Sequence, residues 1–184
     1  MLKTQAPTAG LLFSGFLFDS FVVSQDEMIS IWEDLYGPSF YFIPAFNPFK
    51  NYYAAEMGEE KNLRRFFLLS SKTFERDILL PAKLKSLELE FTWSQSGKRK
   101  VNIDPGLLTL ENFTLATTKN YSHRTYLGQN IFTDLTYQFQ HGKFETLPWT
   151  YPDYVDDEKI QFFTWARSYL HTLLSRANQS HLSI

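Results

Sequence analysis

Residues 11–18 read LLFSGFLF, an apolar run that begins the fold. A short run this rich in Phe and Leu is typical of a buried strand. Ser24 and Glu27 form a capping-box pattern that predicts a helix, and Gly37 ends the helical pattern before an aromatic strand at residues 40–43. The chain is therefore expected to open with a strand, a helix and a second strand.

Two helical segments carry apolar residues at helical spacing. The first has the stripe Met28, Ile31, Trp32 and Leu35; the second, with Pro81 near its start, has Leu80, Leu84, Leu87 and Phe91. We expect both stripes to face the core. From Leu87 to Trp93 the apolar residues also alternate with period two, so an extended end of the second segment stays open.

The remaining segments complete an α+β pattern. Strands are predicted at residues 65–74 and 98–104, which gives the order strand, helix, strand, strand, helix, strand of a ferredoxin-like βαββαβ opening. Residues 113–118, 125–127, 131–139 and 143–147 predict an added antiparallel hairpin region. An apolar stripe from Ile160 to Leu173 predicts a C-terminal helix. We expect a mainly antiparallel sheet in one domain over residues 1–184, with mobile tails at 1–9 and 177–184.

Composition narrows the class of protein. The 184 residues are 43% hydrophobic and 17% aromatic, enough for a sizeable core, and the net charge of -2 gives no pull toward duplex DNA. The chain has no cysteine, which excludes disulfides and thiolate chemistry. The apolar run at residues 11–18 is too short to span a bilayer. We therefore expect a cytoplasmic protein without a membrane or duplex-DNA partner.

Residues 98–128 gather polar and basic side chains in an otherwise apolar chain. Arg99, Lys119 and Arg124 are cationic donors suited to an anion, and Asn102 and Thr118 are suited to orienting it. These five residues are the predicted ligand contacts of this stretch.

The segment Asp104-Pro105-Gly106 has two interpretations. Pro and Gly after Asp are typical of a tight turn. Alternatively Asn102 and Asp104, two apart on a strand, share a face, and Asp104 holds a ligand hydroxyl or a cation. No second carboxylate lies at a diagnostic spacing, so the sequence assigns no residues to a metal site.

His123 and Asp104 are the candidate catalytic residues, because an imidazole can transfer a proton near neutral pH. The alternative is that His123 caps a turn and Lys119 is solvated. Trp149 and Tyr151 form a rigid aromatic turn or, in the functional interpretation, stack on a ring of the ligand.

Nucleotide-binding motifs are absent from the sequence. It contains neither a G-x-x-x-x-G-K-[ST] loop nor a G-x-G-x-x-G turn, so neither a P-loop nor a Rossmann site is expected. The sequence does not identify a cofactor.

Several ordered motifs resemble a bacterial domain-of-unknown-function family, DUF4416-like. They are residues 52–58 (YYAAEMG), 102–106 (NIDPG), 116–119 (ATTK), 123–128 (HRTYLG) and 148–154 (PWTYPDY). The resemblance covers nearly the whole chain and implies a bacterial cytoplasmic setting, but it supplies no activity.

The sequence thus predicts binding of a small anionic ligand, phosphorylated or carboxylated, with a nucleotide as one case. Whether acid–base chemistry follows is left open. The alternative function is a non-catalytic interaction module whose aromatic surface docks a partner protein.

Overall fold

The computed structural model describes residues 6–44, 57 and 59–181. Within these residues the chain forms one antiparallel sheet of eight strands, together with three α-helices. The strands are β1 (Gly10–Asp19), β2 (Ser39–Phe42), β3 (Leu63–Phe74), β4 (Val101–Leu108), β5 (Asn112–Thr117), β6 (Arg124–Gly128), β7 (Ile131–Gln140) and β8 (Lys143–Thr146). The helices are α1 (Gln25–Tyr36), α2 (Leu79–Thr92) and α3 (Asp157–His181). The predicted α+β class is confirmed.

The strand order is β2-β3-β1-β4-β5-β7-β6, and β8 pairs with β7 outside this path. Every pairing among the described strands is antiparallel. The first six elements follow the predicted order, and α3 is the expected C-terminal helix. The ferredoxin-like relationship and the mobile tails stay predictions, and residues 1–5 and 182–184 lie outside the described residues.

Both faces of the central strands are covered, which explains the continuous apolar run of β1. Side chains alternate between the faces of a strand. Phe13 therefore packs with Phe163 of α3 on one face, while Phe16 packs with Trp32 of α1 on the other. Full burial of each such side chain contributes roughly 1.5–3 kcal/mol.

The first helix begins as predicted. The Ser24 hydroxyl accepts a hydrogen bond from the Glu27 amide over 3.2 Å. Gly37, with φ of 86°, donates to the Glu33 carbonyl at the helix end. The expected stripe is partly wrong, because Leu35 is 44% exposed and Tyr36 is buried in its place.

The second helix is confirmed through Thr92, and the extended alternative for its end is wrong. Its predicted buried face is partly wrong. Leu80, Leu84 and Leu87 are partly buried and pack against the core, as expected, but Phe91 is 80% exposed. The fully buried residues of the helix are Leu79, Ala82, Lys83, Ser86 and Glu90. Two of them, Lys83 and Glu90, are charged and bind backbone groups of β4.

The expected turn at Asp104-Pro105-Gly106 is wrong, since these residues lie inside β4. Pro105 lies on the same edge of β4 as Ile103, two residues away, and it has no N–H to donate to β5. Pairing with β5 accordingly starts at Gly106. A Cβ at Gly106 would lie 2.7 Å from the Phe113 ring and 2.8 Å from the Thr114 carbonyl oxygen. Proline thus ends the ladder, and glycine permits the close approach of β5.

Candidate functional site

Strands β4 and β5 separate where the ladder ends. β4 pairs with β1 along its whole length, but it pairs with β5 only at Gly106–Leu108. If the same register continued, Thr118 would lie opposite Ile103. A pocket of about 190 Å³ occupies the separation instead. Its walls come from α2, β4, β5 and the segment before α3.

Helix α2 takes the place of the missing strand partner. The Lys83 ammonium donates to the Ile103 carbonyl over 2.8 Å, and a Glu90 carboxylate oxygen accepts from the Ile103 amide over 2.8 Å. Lys83 and Glu90 are 4% and 7% exposed. The buried backbone groups that β5 leaves unpaired are therefore satisfied by side chains, as burial requires.

Burial raises the pKa of Glu90 above its ordinary value, against the opposing effects of the Lys83 ammonium and the Ile103 amide. The Lys83 nitrogen lies 3.9 Å from the carboxylate, and an Arg99 nitrogen lies 3.7 Å from its other oxygen. Glu90 is thus a carboxyl group whose charge the protein disfavours inside a pocket, a feature common at functional sites.

The β4 wall is a chain of polar side chains. The Arg99 guanidinium donates to the Asn102 amide oxygen over 2.6 Å, and the Asn102 amide donates to an Asp104 oxygen over 2.7 Å. The other Asp104 oxygen lies 3.7 Å from the Lys83 ammonium. Asn102 and Asp104 therefore share a face, as their spacing predicts, and Asn102 fixes the orientation of the carboxylate.

The wall that faces β4 is formed by neighbouring side chains on three adjacent strands. Leu115, Asp134 and Arg124 are register partners on β5, β7 and β6. The Arg124 guanidinium donates to the Asp134 carboxylate over 2.8 Å and to the Lys119 carbonyl over 3.0 Å. The Lys119 amide in turn donates to the Thr117 hydroxyl. Arg124 is held in place by these contacts and ties the loop at Lys119 to the sheet.

The inner wall comes from the segment before α3 and from β3. Tyr151 and Tyr154 line the pocket together with Arg65, which forms a buried ion pair with Asp153. The main-chain carbonyl of Tyr154 accepts a hydrogen bond from the Tyr137 hydroxyl. These contacts fix the aromatic segment against the sheet.

His123 and Trp149 lie beside the pocket and outside its lining. The His123 ring stacks on Trp149 with centroids 5.2 Å apart and on Tyr121 at 6.0 Å. Its Nε2 atom lies 3.4 Å from the Asp134 carboxylate. The Trp149 indole donates to the Leu135 carbonyl. His123 therefore lies beside Asp134, the ion-pair partner of Arg124, and its ring packs between the aromatic rings of Tyr121 and Trp149.

The lining carries more cations than carboxylates. Its five cationic residues are Arg65, Lys83, Arg99, Lys119 and Arg124; its three carboxylates are Glu90, Asp104 and Asp134. Asp153 lies outside the lining and pairs with Arg65. When its carboxylate is added to the count, the cationic side chains still exceed the carboxylates by one. Among the described residues, no group of three His, Asp or Glu side chains is placed to hold a metal ion. The arrangement is suited to an anion with hydrogen-bonding substituents.

Seven predicted site residues meet at this pocket: Arg99, Asn102, Asp104, Thr118, Lys119, Arg124 and Tyr151. Sequence reasoning missed Arg65, Lys83, Glu90, Asp134 and Tyr154 as pocket residues. The sequence spacing could have indicated two of these residues, Lys83 and Glu90. They are seven positions apart and therefore lie on the same face of a helix. Asp134 in the middle of an apolar strand is a second such signal.

The family model described as Domain of unknown function (DUF4416) matches residues 9–169. The chain belongs to this family. The matched range includes every residue that lines the pocket. No curated protein and no solved structure matches the chain. No helix in the described ranges is both long enough and apolar enough to cross a membrane.

Proposed function

We propose that the pocket between β4 and β5 binds a small anionic ligand through a phosphate or carboxylate group. The observation that supports this most is the excess of cationic side chains around one concave site. The bacterial cytoplasm is the setting we propose, as the family resemblance implies.

The anionic group is proposed to bind at the outer end, among Thr118, Lys119 and Arg124. Thr118 and Lys119 are exposed and accessible from solvent. Arg124 is already oriented by Asp134 and the Lys119 carbonyl, so little side-chain entropy is lost when it binds. Arg99 on the facing wall contributes a second guanidinium. Charge-assisted contacts of this kind are stronger than neutral hydrogen bonds.

The size of the pocket favours a compact molecule. A cavity of ~150 Å³ admits benzene, and the pocket measures about 190 Å³. A phosphorylated or carboxylated metabolite fits this scale, and a larger ligand such as a nucleotide would extend out of the mouth. This supports small-molecule binding over recognition of a macromolecule.

A thermal-shift screen tests the proposal. The panel contains inorganic phosphate, phosphorylated metabolites, nucleotides and small carboxylates, each compared with chloride at equal ionic strength. A ligand present at 100 times its Kd stabilises the folded state by about 2.7 kcal/mol. We expect at least one anion to raise the Tm above the chloride control. If none does, the proposal fails and the alternative, an interaction module that docks a partner protein, becomes the better function.

A further inference from the structure

The Tyr154 hydroxyl is a buried polar group at the inner end of the pocket. The residue is 2% exposed. The Arg65 guanidinium interacts with its hydroxyl as a hydrogen-bond donor, and no acceptor for the phenolic proton lies at hydrogen-bonding geometry among the described residues. A buried O–H group without an acceptor costs free energy, and an acceptor on a ligand would satisfy it.

The register of the sheet places this hydroxyl on the same face as Asp104, and the Asp104 charge contributes to the raised pKa of the phenol. The Tyr154 ring is parallel to Phe67, with centroids 5.8 Å apart. Its hydroxyl oxygen lies 3.1 Å from the position that a Cβ on Gly15 would occupy. Gly15 is the register partner of both Phe67 and Asp104. The absence of a side chain at Gly15 therefore makes room for the hydroxyl between these two neighbours.

Tyr154 and Asp104 offer complementary hydrogen-bonding groups. The Asp104 carboxylate accepts hydrogen bonds, and Asn102 already holds one of its oxygens. Burial raises the pKa of Tyr154 against the opposing charge of Arg65, so the phenol keeps its proton at neutral pH and can donate. A donor and an acceptor on one face of the pocket are suited to ligand hydroxyls, which both donate and accept.

We infer that the ligand is a polyhydroxylated anion, a sugar phosphate or sugar acid, whose hydroxyl groups bind Tyr154 and Asp104. This inference rests on the proposed function, because Lys119 and Arg124 hold the anionic group of the same molecule. The Asp104 carboxylate then has a role in an anion site, since it accepts a hydrogen bond from a hydroxyl of the ligand.

Isothermal titration with matched probes tests the inference. Ribose 5-phosphate is compared with ethyl phosphate, and gluconate with butyrate, so that the anionic group is constant within each pair. Each probe is titrated into the full chain, the variant Tyr154→Phe and the control Tyr126→Phe, whose phenol is exposed and outside the pocket lining. In at least one pair we expect the hydroxylated probe to bind about tenfold more tightly to the wild type. In Tyr154→Phe that preference should fall roughly three- to tenfold, as expected for one lost hydrogen bond.

The outcomes separate the two proposals. If the hydroxylated and plain anions bind equally, or if Tyr154→Phe keeps the full preference, the polyol inference is wrong and the anion site stands. If Tyr126→Phe loses the preference as Tyr154→Phe does, the effect is not local to the pocket and the inference is also wrong. If no probe binds the wild type and the screen of anions is negative too, both proposals fail.

Discussion

The Lys83 ammonium donates a hydrogen bond to the main-chain carbonyl of Ile103 across 2.8 Å, at the position where the neighbouring strand would otherwise pair. The Glu90 carboxylate accepts a hydrogen bond from the Ile103 amide, so both main-chain groups of Ile103 are bound by side chains of one helix. The separation between β4 and β5 is therefore stabilised by helix α2. The pocket exists because two buried side chains replace a strand.

Replacing Lys83 by Met should destabilise the domain strongly. The change leaves the Ile103 carbonyl without its donor and Glu90 without its nearest ammonium, and breaking a buried ion pair costs about 3–5 kcal/mol. Urea unfolding measures the free energy of unfolding. The matched control is Lys85→Met on the same helix, where the side chain is 40% exposed and pairs with Glu88. The control should change stability by less than about 0.5 kcal/mol. Equal effects in the two variants would contradict the role of Lys83.

Glu90→Gln should change the pH dependence of stability. Burial raises the pKa of Glu90 above 4.5, so the folded state holds its proton more tightly than the unfolded chain does. The resulting stabilisation is fully present below pH 4.5 and is lost as the pH rises through the raised pKa. Wild type should therefore lose stability relative to Glu90→Gln as the pH rises above about 4.5. Denaturant unfolding at several pH values checks this, and a difference that is constant or of opposite slope would contradict it.

Gly106→Ala should destabilise the junction of β4 and β5. The added Cβ would meet the Phe113 ring at 2.7 Å and the Thr114 carbonyl oxygen at 2.8 Å. Overpacking of this kind costs typically about 1–3 kcal/mol. Thermal unfolding of the variant is the measurement. An unchanged Tm would show that β5 can move away from β4 without cost.

Tyr154→Phe should change the stability of the ligand-free protein little, because the buried phenolic proton that it removes has no acceptor among the described residues, and Arg65, which donates to the phenol, keeps its ion pair with Asp153. Tyr137→Phe is the comparison, since the Tyr137 hydroxyl donates to the Tyr154 carbonyl. Loss of that donor should cost about 1–3 kcal/mol. Differential scanning calorimetry ranks the two variants. A Tyr154→Phe protein as unstable as Tyr137→Phe would show that its hydroxyl is structurally paired.

The sequence predicted the order of elements because local signals agreed with the fold. The apolar run of β1, the Ser24 cap and the Gly37 stop depend on neighbouring residues, and all three were readable. Clustering of basic and polar residues at 98–128 likewise located most of the pocket lining, since β4, β5 and the loop before β6 come from this stretch.

The parts that the sequence did not predict depend on contacts between distant residues. The apolar stripe of α2 predicted burial of Phe91, which is exposed, and gave no sign that Lys83 and Glu90 are buried. Hydrophobicity alone ignores the hydrogen bonds that these two charged side chains make to Ile103. Asp104-Pro105-Gly106 predicted a turn, because its local chemistry cannot show that a proline at the end of a ladder is tolerated in a strand. The Tyr154 hydroxyl was missed because Gly15 makes room for it from the other end of the chain.

The most direct test of the central claim is a calorimetric titration of the best anion from the screen into wild type, Lys119→Ala and Lys143→Ala. Lys143 is an exposed lysine on β8 outside the pocket lining, so its variant controls for the loss of one positive charge. Both variants should unfold within about 0.5 kcal/mol of wild type. Removing a charge-assisted contact costs about 1.5–3 kcal/mol, so Lys119→Ala should bind roughly ten- to a hundredfold more weakly while Lys143→Ala binds like wild type. Equal affinity of Lys119→Ala and wild type, or an equal loss in both variants, would contradict anion binding at this pocket.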